Sequence, residues 1–358
     1  MNFWKELQSK KKPFFVLAPM ANVTDVAFRE LLVRYGKPDV MWTEFVSANG
    51  LMSKGRDLLL YDLDYSEAER PIVAQLFTSN PETMKGAVAL CIEKGFDGID
   101  INMGCPDKTI EKQGSGAAHI KDKETACAVI GAAKEAIQES GKDIPLSIKT
   151  RLGYSTYEID SWIRYILLQK PAALTVHLRT RKQLSKVPAQ WEYMKEIVAL
   201  RDEVSPETVI IGNGDVISLK DGKEKAFGSG ADGVMVGRAL FGNPWFFDER
   251  REVVSSLPKR RHWILRSLPF FGKFFDTKRG AAQSKNNPIR VEERLMVMVE
   301  HATLFEEKLG KVKNFAVFKK HMKAYCTGFK GAKELRVRLM EESFSASDVQ
   351  RIVGEFLK

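Results

Sequence analysis

The chain has 358 residues, 44% of them hydrophobic, which is enough for a sizeable core and more length than one average domain needs. Its net charge of +10 favours polyanionic partners without naming one. Four cysteines (Cys91, Cys105, Cys127, Cys326), none in a C-x-x-C pair, exclude a disulfide framework and give no zinc or thioredoxin-type motif, so no metal is expected. Met1 to Pro13 is basic without an apolar signal core, and no run approaches 18 apolar residues. The expectation is a cytoplasmic protein that neither touches a membrane nor calls for a protein partner.

In chain order, β-rich runs lie at 14–20, 40–45, 71–77, 98–104, 145–151, 173–179, 209–215 and 233–239. Most are near-continuous apolar stretches, such as Val209-Ile210-Ile211 and Gly233-Val234-Met235-Val236, as parallel strands covered on both faces require. Helices are expected between them. Asn80-Pro81-Glu82 opens one that runs to Lys94 before Gly95, and Asp122 opens another that runs to about Glu139 before Gly141. Eight strand–helix units over roughly 240 residues match a (β/α)8 TIM barrel. A doubly wound sheet would want a Gly-rich dinucleotide fingerprint after its first strand, and Ala18-Pro19-Met20-Ala21 stands there instead.

Polar residues support the barrel by position. Gln75, Asn102, Lys149, Arg151, His177, Arg179, Asn213, Asp215 and Arg238 fall at or near the C-terminal ends of successive strands, the end that carries a barrel's active site. The barrel is assigned to 1–250. A basic, aromatic-rich insertion or linker follows at 251–288; between 258 and 290 nine cations face a single acid, Asp276, so most of the chain's excess charge is local. In 289–358 apolar residues recur at helical spacing (Leu295, Val299, Ala302, Phe305; Phe315, Phe318, Met322, Tyr325), which predicts a small helical domain.

Three features carry chemistry. Asp100-Ile101-Asn102-Met103-Gly104-Cys105-Pro106 puts a thiol just past the fourth strand, where it can act as nucleophile or general acid; metal ligation lacks a second ligand at suitable spacing. Cys91 and Cys127, on helix faces, read as packing residues. The glycine turns Gly212-Asn213-Gly214-Asp215 and Gly233 to Gly237-Arg238, after the last two strands, suit a phosphate cradle. Lys149 and His177 end strands where a cation could stabilise an anionic cofactor ring.

Together with Ala18-Pro19-Met20-Ala21-x-Val23-Thr24-Asp25-x-x-Phe28-Arg29, Gln75-Leu76-Phe77, Lys149-Thr150-Arg151 and His177-Leu178-Arg179-Thr180-Arg181, these motifs resemble, in order and over nearly the whole chain, the series of tRNA-dihydrouridine synthases. Lys319-Lys320-His321-Met322 with Tyr325, Gly328, Gly331-Ala332 and Leu335-Arg336 is similar to that family's helical tRNA-binding domain, bacterial B-type. The resemblance implies FMN held by Pro19, Met20, Gln75, Lys149, His177, Asn213, Gly214, Asp215, Gly237 and Arg238. It implies Cys105 as general acid, Asn102, Arg151, Arg179, Lys320 and His321 on the RNA substrate, and NADPH or NADH as reductant. A loop at 107–119 with Gly114, Ser115 and Gly116 is expected to move as a lid. Leu178 and the 258–288 insertion depart from the family pattern. Two other flavin scaffolds fit the barrel: an oxidoreductase of the dihydroorotate dehydrogenase type, which needs no basic helical domain, and a flavin-dependent RNA methyltransferase.

Overall fold

The structure, a computed structural model, describes residues 2–253 and 287–358. Eight parallel strands are present: β1 (Phe14–Leu17), β2 (Met41–Ser47), β3 (Ile72–Phe77), β4 (Gly98–Met103), β5 (Leu146–Arg151), β6 (Ala173–His177), β7 (Val209–Asn213) and β8 (Gly233–Val236). Their order, β1-β8-β7-β6-β5-β4-β3-β2, is that of a barrel. A parallel bridge between Val16 and Val40, with Leu17 N donating to Val40 O at 3.1 Å, joins β1 to the chain entering β2 and closes the ring. All eight lie inside the predicted runs or within two residues of them, because unbroken apolar segments this short are stable only when both faces are covered.

The local start and stop signals act as expected. Asn80 Oδ1 accepts from Glu82 N at 2.9 Å and opens the helix Pro81–Glu93. Asp122 Oδ1 accepts from Thr125 N at 3.0 Å and opens Lys123–Ser140, which stops where Gly141 turns to φ 66°. Side chains that face inward, among them Val16, Trp42, Val73, Ile211 and Met235, share one core with Trp4 and Leu7 of the helix Phe3–Ser9. Trp4 sits 5.7 Å from Trp42 and 5.8 Å from Phe14, ring centre to ring centre, so this N-terminal helix stoppers the barrel at the end away from the strand C-termini. The basic N-terminus gave no sign of that role.

The helices Val291–Leu309, Lys319–Tyr325, Ala332–Glu342 and Ala346–Leu357 build the expected helical domain. Its core is continuous with the barrel's outer layer. Leu295, Met298 and Phe305 pack in one cluster with Val26, Ala27 and Leu31 of the helix Val26–Tyr35 and with Trp245. Tyr35 Oη donates to Glu300 at 2.5 Å, and Lys308 pairs with Glu30 at 3.0 Å across the same seam. The insertion expected at 251–288 lies, apart from its borders, outside the described residues. Those borders, Arg251–Val253 and Asn287–Ile289, pair as two short parallel strands. Among the described residues no helix is long and apolar enough to cross a membrane.

Candidate active site

The strand C-termini surround a cleft of about 580 Å³, within the roughly 300–1,000 Å³ usual for cofactor and small-ligand sites. Pro19, Met20, Lys149, His177, Asn213, Gly214, Asp215, Gly237 and Arg238 line it, which is every expected cofactor residue except Gln75. Ser185 and Ile217 line it too. Neither was read from the sequence, since each sits in an aperiodic loop without a motif.

The glycines divide into two kinds. A Cβ on Gly212 would fall 2.4 Å from the Trp191 ring, and one on Gly233 would fall 2.3 Å from Phe14, so these two make room for packing. Gly214 (φ 135°) and Gly237 face the cleft. A left-handed backbone at Gly214 and then at Asp215 (φ 48°) turns the chain sharply after β7. Asn213 Nδ2 ties the turn to Met235 O of β8 at 2.9 Å.

The cleft is cationic. Lys149 and Arg238 line it, Arg151 and Arg179 lie close enough to act with them on His177, and Asp215 bridges Arg179 and Arg238, the latter at 2.6 Å. Burial and then these four cations hold His177 well below its ordinary pKa, so its ring is neutral. Arg179 Nη1 lies 3.1 Å from His177 Nε2. A guanidinium can only donate, so Nε2 accepts and Nδ1 carries the proton. Burial, reinforced by Arg151, lowers Lys149 to about 8. No acceptor among the described residues lies within hydrogen-bond distance of its ammonium. An unpaired lysine under net positive potential suits an anionic ligand, and the two bare glycine turns beside Arg238 suit that ligand's phosphate. The donor set thus fits a flavin nucleotide.

Cys105 stands half-buried beyond β4. Its N donates to Asn102 Oδ1 at 2.9 Å and its O accepts from Ala117 N at 2.9 Å. Burial pushes its thiol up despite Arg151 and Lys149, so the group is a protonated thiol rather than a thiolate. Cys91 is fully buried and pushed up to about 12, a packing residue as expected.

The structure places several of the expected site residues off the open cleft surface. Gln75 is fully buried and absent from the cleft lining, donating to Asp100 at 2.5 Å. Asn102 spends its amide on Gln75 and on the backbone of Gly104 and Cys105, so it shapes the thiol's turn rather than facing solvent. Arg151 is likewise buried, its guanidinium on the carbonyls of Gly104 (2.7 Å), Thr180 (3.2 Å) and Leu184 (3.3 Å). Arg179 is buried and held by Val187 O, His177 and Asp215. Of the two helical-domain residues expected on RNA, Lys320 is exposed. His321 is buried between Phe28, Phe241, His301 and Phe318, and burial depresses it to about 3, so it is a neutral packing residue of the domain seam. The segment expected as a lid holds a short helix, Lys108–Lys112, and a 3-10 turn, Gly116–Ile120, with Ser115, Ala117 and His119 buried. Arg181 pins that helix through Glu111 at 2.8 Å.

Comparison with known proteins agrees with this geometry. Residues 16–357 match the family described as Dihydrouridine synthase (Dus). A "Probable tRNA-dihydrouridine synthase" of Staphylococcus aureus (strain COL) is 35% identical over 361 residues, covering 99% of this chain and 95% of that protein. "Probable tRNA-dihydrouridine synthase 2" of Bacillus subtilis (strain 168) is 35% identical over 358 residues, covering 99% and 96%. The match spans both the barrel that builds the cationic cleft and the helical domain sealed onto it, and so the chain belongs to the dihydrouridine synthase family.

Proposed function

We propose that this protein reduces the C5–C6 bond of a uridine in tRNA, with FMN in the barrel cleft and NADPH as the reductant. The observation that carries the reading is a protonated Cys105 thiol within electrostatic reach of Lys149, which lines the cationic cleft, in a chain of this family. When bound, the reduced flavin supplies the hydride that ends on uracil C6. Everything else falls to the chain. Arg238 with the Gly214 and Gly237 turns binds the phosphate, and Lys149 offsets negative charge on the ring. Neutral His177, kept in one tautomer by Arg179, presents its Nδ1 proton as a donor.

Cys105 gives its proton to uracil C5, and the thiolate left behind regains one from solvent. The high thiol pKa favours this task, because a thiolate would have no proton to give. The base must leave the RNA stack to reach the cleft, and exposed Lys320 in the helical domain supports backbone contact nearby. The β1 turn, Ala18-Pro19-Met20-Ala21, lacks a dinucleotide fingerprint, so NADPH visits and leaves. Such chemistry on tRNA belongs in the cytoplasm.

The test is position-resolved mapping of dihydrouridine in tRNA incubated with NADPH and either the wild type or Cys105→Ala. The wild type adds the mass of two hydrogens to a uridine. The variant stays yellow with flavin but loses product formation by about 10²–10⁴-fold, the usual share of a general acid. Full activity in the variant removes Cys105 from the reaction, and a methyl group's mass on the base overturns the reductase reading.

A further inference from the structure

Asp100 is a carboxylate fully buried inside β4, where packing alone would favour an apolar residue. Its Oδ1 accepts from Ser147 Oγ at 2.6 Å and its Oδ2 from Gln75 Nε2 at 2.5 Å. Gln75 Oε1 then accepts from Asn102 Nδ2 at 2.9 Å. Asn102 Oδ1 accepts from Gly104 N at 3.1 Å and from Cys105 N at 2.9 Å. None of these four side chains is more than 5% exposed, so water does not stand in for a lost partner.

An amide side chain can be turned over at little cost in shape, which exchanges its donor and acceptor. Two in series could therefore settle either way round. Here both ends of the chain are one-directional. Backbone N–H groups at Gly104 and Cys105 only donate, and an ionised carboxylate only accepts. Asp100 is pushed up to about 6 by burial, so it is ionised at pH 8. Without an acceptor at its position, Gln75 can turn over and present its NH2 to Asn102. Asn102 then either meets donor with donor or turns over itself, setting its own NH2 against the Gly104 and Cys105 amides.

From this we infer that Asp100 is a positioning residue, which acts through Gln75 and Asn102 to hold the turn that carries Cys105. The inference rests on the reading of Cys105 as the proton donor, and its test has a readout that does not. Asp100→Leu and Gln75→Met each break the chain. Asp100→Asn keeps an acceptor toward Gln75 and turns its NH2 to Ser147 Oγ, whose proton still has Ile99 O at 3.2 Å.

With the flavin-loaded full chain at pH 8, the alkylation rate of Cys105 by iodoacetamide is followed by peptide mass spectrometry, alongside kcat and KM on tRNA. Both breaking variants should alkylate about tenfold faster and lose about tenfold in kcat with KM little changed, the scale of one buried hydrogen bond. Asp100→Asn should restore both readouts. Should Asp100→Leu fail to fold, Gln75→Met, which replaces one flexible unbranched side chain with another, carries the breaking arm. Alkylation at the wild-type rate or slower in the breaking variants overturns the inference. So does an Asp100→Asn enzyme as impaired as Gln75→Met, which would make charge rather than orientation the requirement. If instead Cys105→Ala turns over at full rate, the proton-donor reading fails while the alkylation rates still judge the positioning.

Discussion

Lys149 gives the most direct handle on the cleft. In the flavin-free protein, burial and neighbouring Arg151 bring it to about 8. An anionic ligand beside it returns it toward its ordinary value of about 10.4. Binding then takes up a proton wherever the free lysine is neutral, so affinity falls as pH rises through the free value. With a free value of about 8 and a bound value of about 10.4, the linkage gives about fivefold weaker FMN binding from pH 8 to pH 9, and about tenfold in all between pH 7 and pH 9. The other perturbed groups of the cleft leave that window clear. Asp100 titrates at about 6, His177 far below, Arg151 at about 10, and the Cys105 thiol is pushed upward from an ordinary value near 9. The assay is titration of the apoprotein with FMN across pH, read by quenching of flavin fluorescence. Lys149→Met should bind more weakly at pH 7 and show no slope, the gap to the wild type shrinking as pH rises and closing only toward about 10.4. A wild-type affinity flat from pH 7 to 9, or the same slope in Lys149→Met, would refute the placement of this lysine against the cofactor.

Gly214→Ala should release FMN while leaving the barrel folded. Its φ of 135° is a strained setting for alanine, costing about 1–3 kcal/mol, and the new Cβ would sit 2.7 Å from that of Ala189; flavin retention on a desalting column checks it. Lys313→Met should lower Tm in a pH-dependent way. Lys313 pairs with buried Glu44 at 2.8 Å and with Asp62 at 2.6 Å, joining the helical domain to the end of β2. Burial already pushes Glu44 up to about 7, with Lys313 opposing, so loss of the lysine raises it further. A carboxyl that holds its proton longer when folded than when unfolded loses stability as pH rises, so the Tm gap to wild type should be wider at about pH 8.5 than at about pH 6. Differential scanning fluorimetry at both pH values reads it, and a gap independent of pH would deny Glu44 the role.

The sequence by itself determined the barrel, the position of the thiol and most of the cleft wall. Those properties are carried by short-range signals. Apolar runs such as Val209-Ile210-Ile211 are strands in any setting that covers them, Asn80 and Asp122 cap whatever helix follows, and a residue at a strand's C-terminal end inherits its place from the fold. Only the tertiary structure decided which way polar side chains face. An amide at the end of β3 or β4 can serve a ligand or a neighbour equally well, and here Gln75 is bonded to Asp100 and Asn102, and Asn102 to the turn that carries Cys105. The same holds for His321, whose motif reads as an RNA contact but whose ring fills the seam between barrel and helical domain. Local pattern encodes which backbone a segment adopts. Orientation and burial depend on partners brought together across the chain, and no segment carries those in its own residues.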